Sequence, residues 1–240
     1  MNQSGFFELI GFGPAGWGGT LLFGAALSLA VAVCGVLLGA VIGVFGAWAK
    51  ICGGKFVRGV ANAYTTILRG VPDLLIIYLI YFGSSSVLTA IGRFYGASGF
   101  IGFPGFIAGT IAIGVTTGAQ ATEVFRGAFQ SVGKGEIEAA RACGMRRMLR
   151  FRRIVAPLTL RHALPGIGNV WVNALKESSL LSVTGLAELM RQAQVAAGST
   201  RLPFDFFLAA AALYFLLSVV SGLVIQMAER RSTRGIRRVA

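Results

Sequence analysis

Residues Gly18 to Trp48 read GGTLLFGAALSLAVAVCGVLLGAVIGVFGAW and contain no charged side chain. An α-helix rises about 1.5 Å per residue and the hydrocarbon core of a bilayer is about 30 Å thick, so about 20 apolar residues cross it. The run is too long for the core of a secretory signal peptide, no basic residue precedes it, and Lys50 follows it. It therefore predicts a membrane-spanning helix that is retained.

The rest of the chain has the composition of a membrane protein. Of its 240 residues, 55% are hydrophobic and only 13% are charged, and the mean hydropathy is +0.73. Soluble domains carry about 25% charged residues, which argues against a soluble fold. We predict an all-α integral membrane protein in which residues 1–240 form one transmembrane domain with five spanning helices. The four further spans are Val71 to Ile91, Phe106 to Phe125, Gly166 to Leu189 and Phe206 to Met227.

The basic residues alternate between connections and so orient the chain. No Lys or Arg precedes Lys50, the second connection holds only Arg93, and the fourth holds only Arg191 and Arg201. Cytoplasmic loops carry the excess of Lys and Arg, so we expect the amino terminus outside and the carboxyl terminus in the cytoplasm. The basic-rich segments are the first connection (Lys50, Lys55, Arg58, Arg69), the third (Arg126, Lys134, Arg141, Arg146, Arg147, Arg150, Arg152, Arg153, Arg161) and the tail (Arg230, Arg231, Arg234, Arg237, Arg238).

The net charge of +13 has the same explanation. A balance of 22 Lys and Arg against 9 Asp and Glu would suggest a nucleic-acid partner in a soluble protein. Here the positive-inside rule and anionic lipid headgroups account for the charge, so we expect membrane lipids as partners and no nucleic acid. The cysteines, Cys34, Cys52 and Cys143, imply neither a disulfide nor a metal site.

The chain lacks the motifs of common hydrolases. It contains no GxxxxGK[ST] phosphate loop, no HExxH zinc pair and no GxSxG elbow. We therefore do not expect this polypeptide to hydrolyse ATP or to act as an enzyme.

Glycines inside the spans indicate close helix packing. Gly35, Gly39 and Gly43 recur every four residues and form one ridge on the first span. On the third span, Gly105 and Gly109, then Gly114 and Gly118, repeat that spacing. Small residues at this interval allow two helix backbones to approach closely, so ordinary intramembrane packing is the favoured interpretation over a gating role.

The third connection, residues 126–165, is longer than two antiparallel helices require. Glu136 to Cys143 is a strong helix former, and Gly144 is suited to ending that helix in a left-handed conformation. A basic stretch follows, in which Met148 and Phe151 stand among arginines. By composition, such short basic helices are more often membrane-surface elements than docking sites for another protein.

The spacing in this connection resembles the EAA loop of ABC importer permeases. Glu138-Ala139-Ala140 is followed by Gly144, then by Ile154 and Ala156-Pro157, where Ala156 stands in the position of the family's Leu. Gly133 stands where many relatives have Pro, which we expect to loosen the entry to the coupling helix. Further stretches similar to the polar amino-acid permeases, and to their histidine, lysine/arginine/ornithine and opine branch, are Leu68 to Leu75, Arg126 to Phe129, Arg152 to Ile154, Ala163 to Asn169, Leu175 to Val183 and Glu229 to Arg231.

This resemblance implies a type I ABC importer permease fold in a bacterial inner membrane. It also implies a second homologous permease as partner, two ATPase subunits and an extracytoplasmic solute-binding protein. This chain would bind no cofactor, because the ATPases would use ATP and Mg. Polar and basic amino acids or opines are the implied cargo. The family's ATPase-coupling residues correspond here to Glu138, Ala139, Ala140, Arg141 and Gly144.

Ionisable residues inside a span are costly and persist where they are paired or face a cavity. Lys176 and Glu177 lie in a polar stretch of the fourth span with Asn169, Asn173 and Ser178. The spacing predicts that Asn169, Asn173 and Glu177 share one helical face and that Lys176 lies about 100° from Glu177. The polar stretch is either an interhelical network or a solute contact, and both interpretations stay open.

Two other carboxylates have simpler explanations. Glu123, three residues before Arg126, favours an interfacial ion pair, although it is also a candidate for the substrate path. Asp73, directly after Pro72, is typical of the negative charge at a helix N-terminus.

The sequence leaves two other classes of protein as alternatives. A self-sufficient channel or secondary carrier would need no ATPase, and the chain shows no internal repeat that supports an inverted-repeat carrier. A membrane scaffold without transport activity would tolerate replacement of the polar face of the fourth span. The ordered set of motifs favours the permease over both.

Topology provides the first prediction. We expect a reporter fused before the first span to lie outside the cell and a reporter after Arg231 to lie in the cytoplasm, because basic residues are absent from the former segment and concentrated in the latter. Fusion reporters and impermeant cysteine labelling measure this. A cytoplasmic amino terminus would refute the five-span arrangement.

Overall fold

The computed structural model describes residues 9–13 and 16–232, and the secondary structure in those ranges is helical without any strand. The all-α prediction is confirmed. The α-helices are α1 (Gly18–Cys52), α2 (Lys55–Gly70), α3 (Asp73–Phe94), α4 (Gly105–Gln130), α5 (Lys134–Ala142), α6 (Arg147–Arg150), α7 (Ala156–Glu177), α8 (Leu189–Thr200) and α9 (Pro203–Ser232). A π-helical turn, Phe151–Val155, precedes α7, and a 3-10 segment, Ser178–Thr184, follows it.

Four of the predicted spans coincide with long helices. They are α1, α3, α4 and α9, and prolines stand at the starts of three of them, with Pro72 before α3, Pro104 before α4 and Pro203 as the first residue of α9. By length and composition, three described helices are able to cross a membrane: α1, α3 and α9. Helices α4 and α7 are also long, with 26 and 22 residues, but they carry more polar and charged side chains.

The predicted span Gly166 to Leu189 is not one helix. Helix α7 begins at Ala156, includes Pro165 and ends at Glu177, and the chain then continues as a 3-10 segment. The hydroxyl groups of Ser178 and Thr184 each donate to the carbonyl three residues earlier, at 2.7 Å, which competes with the α-helical ladder. The connection predicted over 126–165 is shorter, because α7 already begins at Ala156 and only residues 131–155 lie between α4 and α7.

Helix α2 was not predicted, because its segment is too polar to span. Its basic residues Lys55 and Arg58 are exposed, whereas Ala61 and Thr65 are buried against the bundle. The Tyr64 hydroxyl donates to the Val115 carbonyl at 2.7 Å and so joins α2 to α4. Helix α2 is therefore an amphipathic helix packed beside the long ones.

Helices α1 and α4 form the closest pair, and the predicted glycine ridge is the contact. A Cβ atom on Gly35 would lie 2.6 Å from Ile113 Cγ2, and one on Gly39 would lie 3.0 Å from the backbone nitrogen of Gly118. The next ridge position, Gly43, meets Ala121 in the same way. Contacts advance along both helices in the same direction, so α1 and α4 are parallel.

The other long helices alternate in direction around this pair. Helix α4 begins beside the end of α3, because the Phe103 amide donates to Ser85 Oγ at 2.9 Å. Helix α7 runs antiparallel to α4, since Gly166 meets Val124 near one end and Glu177 meets Thr116 near the other. Helix α9 runs parallel to α1. Trp17 packs on Phe206 near their starts, and Ser28 lies 3.3 Å from the Tyr214 hydroxyl further along.

One buried carboxylate joins α1, α8 and α9. Glu188 is fully buried and caps α8 by accepting from the amides of Met190 (2.8 Å) and Arg191 (2.7 Å). Tyr214 of α9 donates to the same carboxylate at 2.8 Å, and Ser28 of α1 donates at 3.2 Å. These hydrogen bonds, together with the positive end of the helix dipole, stabilise a buried carboxylate that has no ion pair with any residue the structure describes.

Replacement of a ridge glycine tests the packing of α1 on α4. We expect Gly39→Val to destabilise the protein by about 1–3 kcal/mol, because the added atoms meet the backbone of Gly118 and a helix must shift. Gly19→Val is the matched control, since Gly19 lies in the same helix with no atom near its missing Cβ. Thermal unfolding in detergent measures both. Equal melting temperatures would show that the two backbones do not need this approach.

Candidate functional site

A polar cavity of about 440 Å³ opens between the start of α3, the second half of α4 and the middle of α7. Its walls combine apolar residues such as Val124 and Val170 with carboxylate, guanidinium and carboxamide groups. The polar lining consists of Arg69, Asp73, Gln120, Glu123, Asn169 and Asn173. Such a mixture is typical of a small-molecule site that fixes the orientation of a polar ligand.

Helix α7 presents an exposed polar stripe that continues from this cavity. His162, Asn169, Asn173 and Lys176 are all exposed and recur at helical spacing along one face. Glu177 is buried instead. Asn173 and Glu177 both bond to Gln120 of α4, in keeping with the predicted shared face, but Glu177 is turned inward, whereas Lys176, seven residues after Asn169, lies on the exposed side.

Glu177 lies behind the stripe in a network of uncharged groups. Its side chain accepts from the Thr116 hydroxyl at 3.2 Å and from the Gln120 amide at 3.5 Å. Asn173 in turn donates to Gln120 at 3.5 Å. Within the described part of the chain, no cationic group lies within 4.0 Å of this carboxylate. The network thus connects Glu177 to the cavity wall without neutralising its charge.

Glu123 is already paired with two cations. Arg126 Nη2 lies 2.7 Å from one carboxylate oxygen, which confirms the predicted i, i+3 pair. Lys50 Nζ lies 2.5 Å from the other oxygen and also donates to Thr65, and its side chain is only 6% exposed. Lys50 was missed because α1 meets α4 only in the tertiary structure. With two cations bound, Glu123 is a poor candidate for holding a cationic ligand, although it lines the cavity.

Asp73 is the carboxylate that lines the cavity without a partner. It is the first residue of α3, as expected of a negative charge at a helix N-terminus, and it is half-buried. Among the residues that the structure describes, no Lys, Arg or His nitrogen lies within 4.0 Å of it. The helix terminus therefore stabilises a carboxylate that is open to the cavity.

Ser178 does not reach the cavity. It is fully buried, and its hydroxyl donates to the Leu175 carbonyl at 2.7 Å. The prediction that Ser178 contacts a ligand is therefore not supported by its position. Thr116 and Gln120, which the sequence analysis did not select, hold the positions beside Glu177. Their only sequence signal was a pair of polar residues four apart in the third span.

The predicted coupling residues form a compact helix with one exposed face. Glu138, Ala139 and Arg141 of α5 are exposed, whereas Ala140 is only 4% exposed and anchors the helix. Gly144 adopts φ +72°, and the Gly144 and Met145 amides donate to the Arg141 and Ala140 carbonyls, at 2.9 and 3.1 Å. This is a Schellman ending, so the predicted helix end at Gly144 is confirmed.

Gly133, the residue that we expected to loosen the entry to the coupling helix, is held in place by a neighbouring side chain. Gly133 has φ −62°, the value that a proline would impose, and it is the N-cap of α5. Its backbone amide donates to the Glu136 carboxylate at 3.0 Å, a bond that proline is unable to make. The entry to α5 therefore keeps its geometry through a side-chain hydrogen bond.

Residues 35–234 match the family described as binding-protein-dependent transport system inner membrane component. The chain is 54% identical, over 97% of its length and 98% of the relative, to the octopine transport system permease protein OccQ of Rhizobium radiobacter. It is 40% identical to the histidine/lysine/arginine/ornithine transport system permease protein HisQ of Escherichia coli (strain K12), over 93% of this chain and 97% of that one.

Solved structures agree with these relatives. A chain from the crystal structure of an amino acid ABC transporter with histidines superposes with a TM-score of 0.76 at 30% identity, covering 90% of this chain and 95% of that one. A chain of the inward-facing MetNI methionine ABC transporter has a TM-score of 0.60 at 17% identity over 99% of this chain, which supports the fold alone. The predicted resemblance is thus confirmed, and the chain belongs to the binding-protein-dependent transport system inner membrane component family as a permease subunit of an ABC transporter.

Proposed function

We propose that this chain is a permease subunit of an ATP-driven importer for basic amino acids or related opines in a bacterial inner membrane. The observation that carries the proposal is a polar cavity in which Asp73 has no cationic partner and Glu177 stands behind an amide wall. Relatives are named as permeases for octopine, nopaline and histidine, lysine, arginine or ornithine. Several of these solutes carry a cationic side chain, which unpaired carboxylates would stabilise.

The proposed topology has five spans with the amino terminus outside. The directions of α1, α3, α4, α7 and α9 alternate in chain order, which five successive crossings require. Helix α2 adds no crossing, because α1 and α4 are parallel and α3 alone reverses the chain between them. The alternation of basic residues between connections supports the same arrangement.

The proposed assembly pairs this chain with a second, homologous permease. In the single chain, the stripe of Asn169, Asn173 and Lys176 is exposed, although α7 lies among membrane helices. A lysine at such a place is too costly to face lipid, so the stripe is expected to face a water-filled path closed by the second permease. Two ATPase subunits, which use ATP and Mg, and an extracytoplasmic solute-binding protein complete the importer.

Coupling to the ATPases is assigned to α5. Its exposed residues Glu138, Ala139 and Arg141 present a small, charged surface that fits a groove in a partner protein. The Schellman ending at Gly144 makes α5 and the following turn a stiff unit, and that turn continues through the π-helical segment into α7. Movement of a docked α5 would therefore be transmitted to the helix that carries Asn173 and Lys176, which gives alternating access.

A change at Gly144 tests the coupling. Gly144→Val forces a branched residue into a left-handed conformation, and we expect the stimulation of ATP hydrolysis by solute in proteoliposomes to fall about tenfold while the protein stays in the membrane. Gly135→Val is the matched control, because Gly135 lies in α5 with open space around it. Glu138→Lys should weaken co-purification of the ATPase without a change of fold. Normal coupling in both Gly144→Val and Glu138→Lys would exclude α5 from transmission.

A change at Glu177 tests the solute site. Glu177→Gln keeps the size of the side chain and its bonds to Thr116 and Gln120 but removes the charge. We expect uptake of arginine to fall about tenfold, because a hydrogen bond to a charged group is lost. Uptake of a neutral amino acid should fall less. Asp73→Asn should act in the same direction. Asp205→Asn, which removes a carboxylate from the first turn of α9, is the control.

Assembly is measured in parallel by size-exclusion chromatography of the complex. Equal losses for cationic and neutral solutes, or a complex that no longer assembles, would return Glu177 to a structural role.

A further inference from the structure

The polar cavity contains one cation without a partner. Arg69 is the one basic side chain among the described residues that line the cavity, and it is exposed. Within the described part of the chain, no carboxylate lies within 4.0 Å of its guanidinium. Lys50 and Arg126, by contrast, are both held by Glu123. The guanidinium of Arg69 is therefore available to an anionic group of a ligand.

A break between two helices keeps Arg69 apart from Asp73. Residues four apart in a continuous helix lie on one face, where opposite charges pair. Helix α2 instead ends at Gly70, and Val71 and Pro72 have ψ angles of 138° and 132°. A proline disfavours the helical conformation of the residue before it, so the sequence itself favours this break. The two opposite charges consequently line one cavity without an ion pair between them.

Each of the two charges is stabilised by its own helix terminus. Arg69 lies in the last turn of α2, at the negative end of that helix dipole, and Asp73 begins α3, at the positive end of the next one. A separation of four residues spans at most about 14 Å. The cavity, of about 440 Å³, has the size of a small-molecule site. One small molecule is therefore able to meet both side chains.

The other polar groups of the wall do not compete for an anion. Glu123 is a carboxylate that two cations already hold, and Gln120 donates its amide to Glu177 at 3.5 Å. Asn169 is exposed and offers an uncharged carboxamide. The described wall thus provides one open cationic group and one open anionic group, a pattern complementary to a molecule that carries both charges.

We propose that Arg69 binds the carboxylate of the solute, while Asp73 stabilises its cationic end. A guanidinium binds a carboxylate through two parallel hydrogen bonds, which gives orientation as well as affinity. Arg69 would therefore make the cavity selective for amino acids and opines over cations that lack a carboxylate. The assignment rests on the proposed function for the place of the solute, but not for a cationic cargo, because neutral amino acids carry the same carboxylate.

Binding of matched ligands to the purified complex of permease and ATPase tests this role. The solute-binding protein is omitted, so that its own selectivity does not enter. Argininamide keeps the ammonium and guanidinium groups of arginine but has an uncharged amide in place of the carboxylate. We expect the wild type to bind arginine about tenfold more tightly than argininamide, the effect of a hydrogen bond between charged groups. Isothermal titration calorimetry measures both dissociation constants.

Arg69→Gln should bring the two dissociation constants to within about twofold, because only the carboxylate loses its partner. Its affinity for argininamide should not fall, since removal of a cation does not weaken the binding of a cation. A distorted cavity would instead weaken both ligands. Arg69→Lys keeps the charge without the planar guanidinium and should give an intermediate preference.

Two further variants test whether the position of the charge matters. Arg58→Gln is the matched control, because Arg58 is an exposed arginine of the same helix that does not line the cavity. We expect it to keep the wild-type preference. Lys176→Gln removes the exposed lysine of α7, which is the competing candidate for the same carboxylate.

The same measurements with glutamine and its α-amide separate this role from the cargo. If glutamine bound the wild type as tightly as arginine, the proposal of a cationic cargo would fail, whereas a loss of acid preference in Arg69→Gln would still support the role of Arg69. A wild-type preference in Arg69→Gln would overturn that role. Loss of the preference in Lys176→Gln alone, or no preference in the wild type, would overturn it as well.

Discussion

The close approach of α1 and α4 is the contact on which the rest of the structure depends. Gly35, Gly39 and Gly43 leave room for the side chains of Ile113, Thr117 and Ala121, so the two backbones approach closely. In a bilayer, apolar side chains gain little by leaving lipid, so helices associate through close packing and polar contacts. Because the two helices are parallel, this contact also fixes the positions of the charged groups near their carboxyl-terminal ends, where Lys50 meets Glu123.

Pairing of charges decides which groups remain available to a solute. Glu123 is bound by Lys50 and Arg126 and is electrostatically satisfied, whereas Asp73 lines the same cavity with only the helix terminus to stabilise it. Glu188 is the opposite case, since four hydrogen bonds from three helices enclose it completely. The three carboxylates therefore differ in role: Glu123 is paired with cations, Asp73 stays open to the cavity, and Glu188 joins helices. A buried charge is retained only where its surroundings compensate it.

Local rules were sufficient for much of the fold. Four of the five predicted spans, the glycine spacing and the helix end at Gly144 follow from neighbours a few residues apart, and the structure agrees with them. The π-helical turn and the 3-10 segment at the two ends of α7 do not follow from such rules. The 3-10 segment reflects competition for backbone carbonyls by the hydroxyls of Ser178 and Thr184, whereas nothing in the local sequence explains the π-helical turn.

The sequence by itself determined the class of protein, the helical architecture, the family resemblance, the α5 helix and the pair of Glu123 with Arg126. Only the tertiary structure decided that Lys50 completes this pair, that Lys176 rather than Glu177 shares the exposed face of α7, and that Ser178 is turned away from the cavity. The physical reason is distance along the chain. A helical period places residues on a face, but only packing between remote helices determines whether that face meets a cavity, a cation or another backbone.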